Sequence, residues 1–343
     1  MHLPVAIAAL ILPLNAQGGR VAPESMQSGY VVVYGVKTVT PSLTPGEAKK
    51  RRLQYGDIPK VHVTRLFAVD PASGKAALVF SDETLPVMVL NREGGGETAL
   101  YSIVATNPSQ RKAIALMGIR PGPGDRPRPS PSLYELSFDG SNAVRRISNV
   151  EAMITFAVSR DGEQIAYFLY SPKRLVIRST NSGTVTREIG LEGSEYAGLP
   201  SLSWSADGSL VLLRRGPGPE HETEYDLIHI PEGRVERTGI SGEIYSFFPA
   251  SNRLLGVHLI YDGSKSSPLY QFFSMALPGR EAVNLSLPPC SESWHAAVSP
   301  DEKLIAYPCN QSIVIRPLAR GEEHGGETNV AVGNAEVLGW IVK

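Results

Sequence analysis

The stretch FAVSRDGEQIAYFLY, residues 156–170, places a tight polar turn between two apolar runs. The turn contains Ser, Asp and Gly, and the flanking runs are short and rich in Phe, Val, Ile and Tyr. This composition predicts two β-strands joined as a hairpin. The same pattern returns at LSWSADGSLVLLRR, residues 202–215, and at HAAVSPDEKLIAYP, residues 295–308. The chain therefore repeats a β-hairpin.

A second, shorter hairpin follows each of these units, and similar hairpins occur elsewhere in the chain. Six of them can be identified, with turns near Asp70, Asp139, Asn181, Glu232, Pro278 and Arg320. After a longer first interval, the turns are about 40 to 50 residues apart. A repeat of that length with four strands is typical of the blade of a β-propeller.

Two segments have no hairpin partner of their own. YVVVYGVK, residues 30–37, has no strand before it, and AEVLGWIVK, residues 335–343, has none after it. Propellers close by pairing such strands, because an unpaired edge exposes backbone donors and acceptors. We therefore predict an all-β, six-bladed propeller of four-stranded antiparallel blades, with residues 336–342 as the innermost strand of the first blade. Trp340 would then occupy the place that Trp204 has in its blade, packed between neighbouring blades.

The turns of the repeat have a chemistry of their own. An Asp side chain can hydrogen-bond backbone amides, and Gly tolerates a positive φ. We interpret Asp161, Gly162, Asp207, Gly208 and Asp301 as structural turn residues rather than catalytic or metal-binding ones.

Composition excludes some classes of partner. The formal net charge is -1 and the pI is near 6.7, so no general electrostatic attraction to nucleic acid or to an anionic membrane is expected. The basic run KKRR, residues 49–52, follows Thr44 and Glu47, which form the pattern of a helix capping box. This run is interpreted as the solvated face of a short helix, with a binding patch as the alternative.

The N-terminus has the pattern of a secretory signal. Its apolar core, residues 3–14, is too short to span a bilayer but is followed by a small-residue cleavage site before Gln17. We predict a signal peptide at residues 1–16, a leader segment at 17–28 and a single propeller domain at 29–343. The product would be periplasmic or secreted, with no integral membrane segment. The region before the apolar core lacks Lys and Arg, so an apolar first strand is the alternative.

The chain contains two cysteines, Cys290 and Cys309. In an exported protein the pair is a plausible disulfide, whereas in a cytosolic protein free thiols are expected. The two residues flank one predicted hairpin and lie near its open end. The sequence leaves both states open.

The turns in AVSRDGEQIAY, SWSADGSLVLL and AVSPDEKLIAY resemble the WD40-like (PD40) propeller repeats of the TolB type, also found in the propeller domains of prolyl-oligopeptidase-like proteins. The resemblance covers residues 150–215 and 293–316, and the rest only by period. It implies a fold more than a function, because such propellers serve as scaffolds, periplasmic adaptors and lids over hydrolase sites. No stretch resembles the small domain of TolB or an α/β-hydrolase domain.

The sequence contains few residues in patterns that are typical of catalysis or of metal and cofactor binding. There is no G-x-S-x-G nucleophile elbow, the seven histidines show no metal-ligand spacing, and the Gly-rich residues 91–98 do not form a phosphate loop. We therefore expect no catalytic residue, no metal and no cofactor. His295 lies on the predicted innermost strand of the last blade, and Tyr245 is predicted at the matching place in the preceding blade. Both are possible channel ligand contacts; a packed or water-bonded histidine is the alternative.

Two functions fit these observations. The first is an exported, monomeric, non-enzymatic TolB-like propeller that binds a protein or a cell-envelope component. The second is a propeller enzyme of the lyase or lactonase type, with its active site in the central channel. A cluster of three or more His, Asp or Glu side chains in the channel would favour the enzyme, and an apolar or Ser-lined channel would favour the scaffold.

Overall fold

The strands are short and follow one another through tight turns. The computed structural model describes residues 29–39, 44–46, 49, 61–81, 100–107, 110–117, 132–139, 141, 143–149, 155–191, 201–217, 223–261, 268–277, 281–285, 287–290, 295–318, 328–331 and 336–341. Within these residues, 24 strands form six four-stranded antiparallel sheets. The predicted all-β, six-bladed propeller is confirmed.

Each of the first three blades takes its strands from successive parts of the chain, except that blade 1 also receives the last strand. Their strands are β1 (Tyr30–Val39), β2 (Val61–Val69) and β3 (Ala76–Ser81) in blade 1; β4 (Leu100–Asn107), β5 (Lys112–Met117), β6 (Ser132–Ser137) and β7 (Val144–Asn149) in blade 2; and β8 (Phe156–Val158), β9 (Gln164–Tyr170), β10 (Lys173–Ser179) and β11 (Val185–Gly190) in blade 3.

The remaining blades continue the same order. Their strands are β12 (Leu202–Trp204), β13 (Leu210–Pro217), β14 (Thr223–His229) and β15 (Arg234–Ser241) in blade 4; β16 (Glu243–Phe247), β17 (Arg253–Ile260), β18 (Leu269–Ala276) and β19 (Ala282–Asn284) in blade 5; β20 (Ala297–Val298), β21 (Leu304–Cys309), β22 (Ser312–Pro317) and β23 (Thr328–Ala331) in blade 6; and the closing strand β24 (Glu336–Ile341).

The ring closes through the two ends of the chain. β24 pairs antiparallel with β1, so that the strand order of blade 1 is β24, β1, β2, β3. Trp340 lies opposite Val31, and Ile341 lies opposite Tyr30. The C-terminal strand is therefore the innermost strand of the first blade, as the sequence predicts.

The hydrophobic core consists of layers between the blades. The buried residues form six apolar clusters, one at each junction of neighbouring blades. Strand β1 shows why the pattern recurs: Tyr30 and Val32 pack toward blade 2, whereas Val31 and Val33 pack toward blade 6. Side chains alternate across a strand, so a sheet covered on both faces requires an uninterrupted apolar run.

Both tryptophans that the sequence assigns to blade packing are buried between blades. The indole N–H of Trp204 donates to the carbonyl of Ala157 in blade 3 at 3.1 Å. The indole N–H of Trp340 donates to the carbonyl of Ala297 in blade 6 at 3.0 Å. Each ring therefore packs and hydrogen-bonds against the innermost strand of the preceding blade, and the predicted equivalence of the two residues is confirmed.

The turns after β8, β12 and β20 share one hydrogen-bond pattern. In the first of them, the Asp161 carboxylate accepts from the Ser159 hydroxyl at 2.6 Å and from the Glu163 amide at 2.9 Å. Asp207 and Asp301 accept from Ser hydroxyls and backbone amides at the same positions. All three carboxylates thus order the turn.

The residue after the Asp is left-handed in all three turns. Gly162 and Gly208 have φ of 76° and 73°, and Glu302 has φ of 56°. A non-Gly residue in this region is strained, so the third turn departs from the repeat.

Of the basic run, the N-terminal segments and the Gly-rich stretch, the structure describes only a few residues. Residues 45 and 46, which precede the basic run, and Lys49, which begins it, are helical and exposed. The predicted signal (1–16), the leader (17–28) and the Gly-rich residues 91–98 lie outside the described residues. Among the helical residues that the structure describes, none belongs to a helix long and apolar enough to cross a membrane.

Candidate functional site at the central channel

The innermost strands of the blades surround a channel with a volume of about 690 Å³. Several of the residues that line this space are small; they are Ala157, Ser203, Ser246, Ala297 and Gly339. A cavity of roughly 300 to 1,000 Å³ is the usual size for a small-molecule site. The channel is therefore the principal candidate site of the described molecule.

Gly339 shows how closely the strands approach at the centre. A Cβ atom at this position would lie 2.2 Å from the Thr106 hydroxyl oxygen of blade 2, and φ is 147°. Only glycine fits this backbone next to β4. The end of β24 is thus held against the start of blade 2 without a side chain between them.

The two residues that the sequence selects both line the channel. His295 is exposed, whereas Tyr245 is half-buried. A ligand contact for either residue stays a prediction.

Tyr245 does not occupy the place that matches His295. Ile244 and Ser246 pair with consecutive residues of β17, so Tyr245 is the extra residue of a β-bulge. When the bulge is taken into account, Glu243 is the residue of blade 5 that matches His295 of blade 6. The repeat spacing in the sequence does not reveal the bulge, and the predicted match of Tyr245 with His295 is therefore wrong: Tyr245 lies two positions after Glu243.

A half-exposed ion pair lies at the wall of the channel in blades 4 and 5. The Arg214 guanidinium donates through Nη2 to Glu243 Oε1 at 3.0 Å, and the two side chains are 37% and 36% exposed. The Thr223 hydroxyl donates to the same Oε1 at 3.2 Å. Within the described residues, the second oxygen, Glu243 Oε2, receives no hydrogen bond. The pair therefore places a hydrogen-bond acceptor, Glu243 Oε2, beside a hydrogen-bond donor, the Arg214 guanidinium, at the channel wall.

Two tyrosine rings line the same side of the channel. Tyr245 lies 6.4 Å from Phe272 between ring centroids, and Tyr270 pairs across the hairpin with Leu259. Burial raises the pKa of both hydroxyls, and the negative charge of Glu243 raises them further. Both hydroxyls are therefore protonated at neutral pH and can donate hydrogen bonds.

A disulfide lies close to these tyrosines. Cys290 and Cys309 are bonded, with their Cα atoms 5.8 Å apart. Cys290 also forms a backbone bridge with Tyr270 of blade 5, whereas Cys309 ends β21 of blade 6. The bond therefore joins two blades, which the sequence could not show because it placed both residues on one hairpin.

An apolar strip extends from blade 5 beside the channel. We define the hairpin strip as Leu259, Ile260 and Tyr261, which are 41%, 41% and 78% exposed. Leu259 also lines the channel. The other large apolar side chains exposed among the described residues are Leu78, Val185 and Val283, and no two of these are adjacent in sequence.

No group of three or more His, Cys, Asp or Glu side chains in the described part of the chain could hold a metal ion. His295 and Glu243 lie at matching places in neighbouring blades without forming such a group. The polar residues of the channel lining are Ser and Tyr side chains, Thr106, Arg160, His295 and the Arg214–Glu243 pair.

Sequence reasoning missed Arg214 and Glu243. Arg214 lies in an arginine pair at the end of a predicted strand, and Glu243 follows a Gly in a turn, so each one alone resembles an ordinary surface residue. Only the packing of blade 4 on blade 5 brings them together.

Comparison with known proteins identifies the fold of this chain but assigns it to no family. No family model matches the chain, and no curated protein matches it. Among solved structures, TolB from Acinetobacter baumannii is similar, with a TM-score of 0.54, 13% identity and coverage of 82% of this chain and 63% of that chain. A chain of a nidogen/laminin complex has a TM-score of 0.49 and 9% identity, covering 81% of this chain and 94% of that one. Hydrazine synthase of Kuenenia stuttgartiensis has a TM-score of 0.45 and 12% identity, covering 74% and 70%.

The similarity to TolB identifies a TolB-like β-propeller fold. The match spans less than two thirds of the TolB chain. At this identity the similarity concerns the fold alone, because one propeller scaffold carries many functions.

Proposed function

We propose that this protein is an exported, non-enzymatic TolB-like propeller that binds a protein partner at the channel face of blade 5. The observation that carries the proposal is the hairpin strip, in which three consecutive apolar residues are exposed beside the channel. Contiguous exposed apolar surface on a soluble protein usually marks an interaction site.

Tyr261 is the residue of the strip with the largest exposed surface. Tyrosines are over-represented among the few interface residues that dominate binding energies. Leu259 and Ile260 are consecutive in β17 and point to opposite faces of the sheet, so a partner that wraps around the end of the hairpin would bury them together with Tyr261. The TolB-like fold supports a scaffold role, since propellers of this kind present rigid faces to partners.

A capture experiment tests the interaction. The mature chain is immobilised and exposed to extract from its native host, beside a variant with Leu259→Ser, Ile260→Ser and Tyr261→Ser. We expect the wild-type chain to retain a partner that the triple variant loses. A matched control carries Leu78→Ser and Val185→Ser, which remove exposed apolar side chains from the outer strands of blades 1 and 3. A partner retained equally by all three proteins would contradict the proposal.

Export is the second part of the proposal. It is supported by the apolar core of residues 3–14 and by the Cys290–Cys309 disulfide, since structural disulfides persist in oxidising compartments. Mass spectrometry of protein from the native host should find a mature N-terminus near Gln17. An intact Met1 on cytoplasmic protein would overturn export.

The alternative enzyme of the lyase or lactonase type has no observation in its favour among the residues that the structure describes, and we do not propose it.

A further inference from the structure

The wall of the channel in blades 4 and 5 contains a charged pair, Arg214 and Glu243, that has no part in the proposed protein binding. Arg214 and Glu243 form an ion pair that is held on one side by Thr223. The hydrogen bonds that the pair makes with each other and with Thr223 use Arg214 Nη2 and Glu243 Oε1. Glu243 Oε2 and Arg214 Nη1 have no hydrogen bond to any described residue, and both side chains are among those lining the channel.

We propose that the channel wall formed by Arg214, Glu243, Tyr245 and Tyr270 binds a neutral sugar of an oligosaccharide. The ligand is recognised through two neighbouring hydroxyls and one face of its ring. This site adjoins the hairpin strip of Leu259, Ile260 and Tyr261 at Leu259, which lies opposite Tyr270.

The geometry of the ion pair matches a vicinal diol. A sugar hydroxyl can donate and accept, so one hydroxyl donates to Glu243 Oε2 while its neighbour accepts from an N–H of Arg214. Hydrogen bonds to charged groups are the stronger ones. A trans peptide unit directs its N–H and C=O to opposite sides, so a single unit of a peptide backbone cannot bridge these two atoms.

The charge of the wall favours a neutral ligand. The positive charge of Arg214 and the negative charge of Glu243 lie 3.0 Å apart and offset each other. An ionic ligand would gain attraction from one member and meet repulsion from the other. A polyhydroxylated neutral ligand uses both members at once.

The tyrosines supply the apolar part of the site. Tyr245 and Tyr270 line the same channel as the ion pair, and Leu259 lies opposite Tyr270 across the hairpin. An aromatic ring offers a flat apolar face with a polar hydroxyl at its edge. The C–H face of a sugar ring packs against such a surface, while its hydroxyls remain directed toward Arg214 and Glu243.

The experiment begins with the full mature chain on an array of neutral and acidic oligosaccharides of defined structure. The neutral oligosaccharide that binds most strongly is then titrated calorimetrically into the wild-type protein and its variants. We expect Glu243→Gln to weaken binding about ten-fold or more, because a charged acceptor becomes a neutral amide. Tyr270→Ala should weaken binding similarly, whereas Tyr270→Phe, which keeps the ring, should restore most of it.

Glu336→Gln is the matched control. Glu336 is an exposed carboxylate on the closing strand of blade 1, and it does not line the channel wall of blades 4 and 5. This variant should bind as the wild type does. Melting curves of each variant separate loss of binding from loss of folding.

Each remaining outcome overturns the proposal. Absence of binding to every neutral oligosaccharide would do so, as would retention of acidic oligosaccharides alone. A neutral ligand whose affinity is the same in a folded Glu243→Gln variant and in the wild type would place the site elsewhere. Displacement of the sugar by an unstructured peptide with equal sensitivity to Glu243→Gln would show that the wall recognises peptides.

Discussion

Two junctions of the ring are stabilised by different means. Two kinds of contact connect blades 5 and 6. One is the Cys290–Cys309 disulfide, and the other is the set of hydrogen bonds that the Glu302 carboxylate of blade 6 accepts from Ala250 and Arg253 of blade 5. Between blades 6 and 1, the closing junction, Trp340 donates to a backbone carbonyl and the Thr328 hydroxyl donates to the Pro71 carbonyl at 2.7 Å. No disulfide crosses the closing junction, because the two cysteines of the chain are bonded to each other between blades 5 and 6.

The closing junction depends on strand pairing, hydrogen bonds and apolar packing, without the help of a disulfide. The disulfide joins residues that are 19 positions apart, whereas Thr328 and Pro71 are separated by 257. The entropic cost of closing a loop rises with its length, though slowly. The closing junction therefore opposes the larger chain entropy with strand pairing and apolar burial, and it should be the more sensitive of the two.

Deletion of residues 336–343 should have the largest effect. It removes β24, exposes the edge of β1 and takes Trp340 and Ile341 out of the core. Burial of each large apolar side chain contributes about 1.5–3 kcal/mol, against a total stability of about 5–15 kcal/mol. The truncated chain should aggregate or melt far below the intact one, as followed by circular dichroism and size-exclusion chromatography.

The control for this deletion is removal of residues 1–27, which the sequence assigns to the signal and the leader. This shorter chain should melt close to the intact protein. If the C-terminal deletion melts like the intact chain instead, β24 does not close the ring.

Loss of the disulfide should have a smaller effect. By chain entropy, a cross-link over a loop of this length contributes about 3 kcal/mol. Denaturant unfolding of the wild type with and without reductant measures this contribution, and Cys290→Ser with Cys309→Ser should match the reduced protein. The double variant should not respond to reductant. A wild type that is equally stable in both conditions would show that the junction of blades 5 and 6 does not need the bond.

Substitutions of Glu302 separate two effects at the same junction, namely the strain of its left-handed backbone and the hydrogen bonds of its carboxylate. Its carboxylate accepts from the Ala250 amide at 2.8 Å, from the Ser251 hydroxyl at 2.8 Å and from Arg253 at 3.1 Å. Glu302→Ala should lose these contacts and keep the left-handed backbone, whereas Glu302→Gly should lose the contacts and relieve the strain. The glycine variant should therefore be more stable than the alanine variant by about 1 kcal/mol, and both should be less stable than the wild type in denaturant unfolding.

A glycine variant more stable than the wild type would show that strain outweighs the contacts of Glu302. Equal stability of the two variants would show that the left-handed backbone carries no strain.

The smallest expected effect concerns Asp207 and pH. Burial raises the pKa of this carboxyl, but hydrogen bonds from Ser205, Ser209 and Asn252 outweigh it and hold the pKa well below its usual range. A lowered pKa in the folded state stabilises the fold above the unfolded pKa of about 3.9, and this contribution is lost as the pH falls. The difference in unfolding free energy between wild type and Asp207→Asn should therefore shrink from pH 6 to pH 3. A difference that does not depend on pH would contradict the assignment.

The repeated turn was readable because its chemistry is local. Ser159 and Asp161 hydrogen-bond within five residues of sequence, and the same spacing returns at Ser205 with Asp207. Strand length and the apolar run of β1 are also local properties, so the blade count and the closing strand could be predicted. The third turn could be recognised only as a variant, because the contacts that hold Glu302 come from another blade.

The candidate site was only partly predictable for the same reason. The repeat assigned His295 and Tyr245 to innermost strands; Tyr245 lies in β16, whereas His295 lies two residues before β20, and both line the channel. The bulge at Tyr245 moved Glu243 into the place that matches His295. The partner of Glu243 lies 29 residues earlier, on another blade, and no spacing within one repeat indicates it.

The sequence by itself determined the all-β architecture, the six blades and the strand that closes the ring, because these follow from alternation, turn chemistry and the count of unpaired strands. The tertiary structure alone decided what meets between the blades: the Arg214–Glu243 pair, the bond from Cys290 to the next blade and the contacts of Glu302. Each of these contacts joins side chains from two different blades. Their distance depends on how whole sheets stack and twist, which hydrophobic periodicity within one strand does not encode.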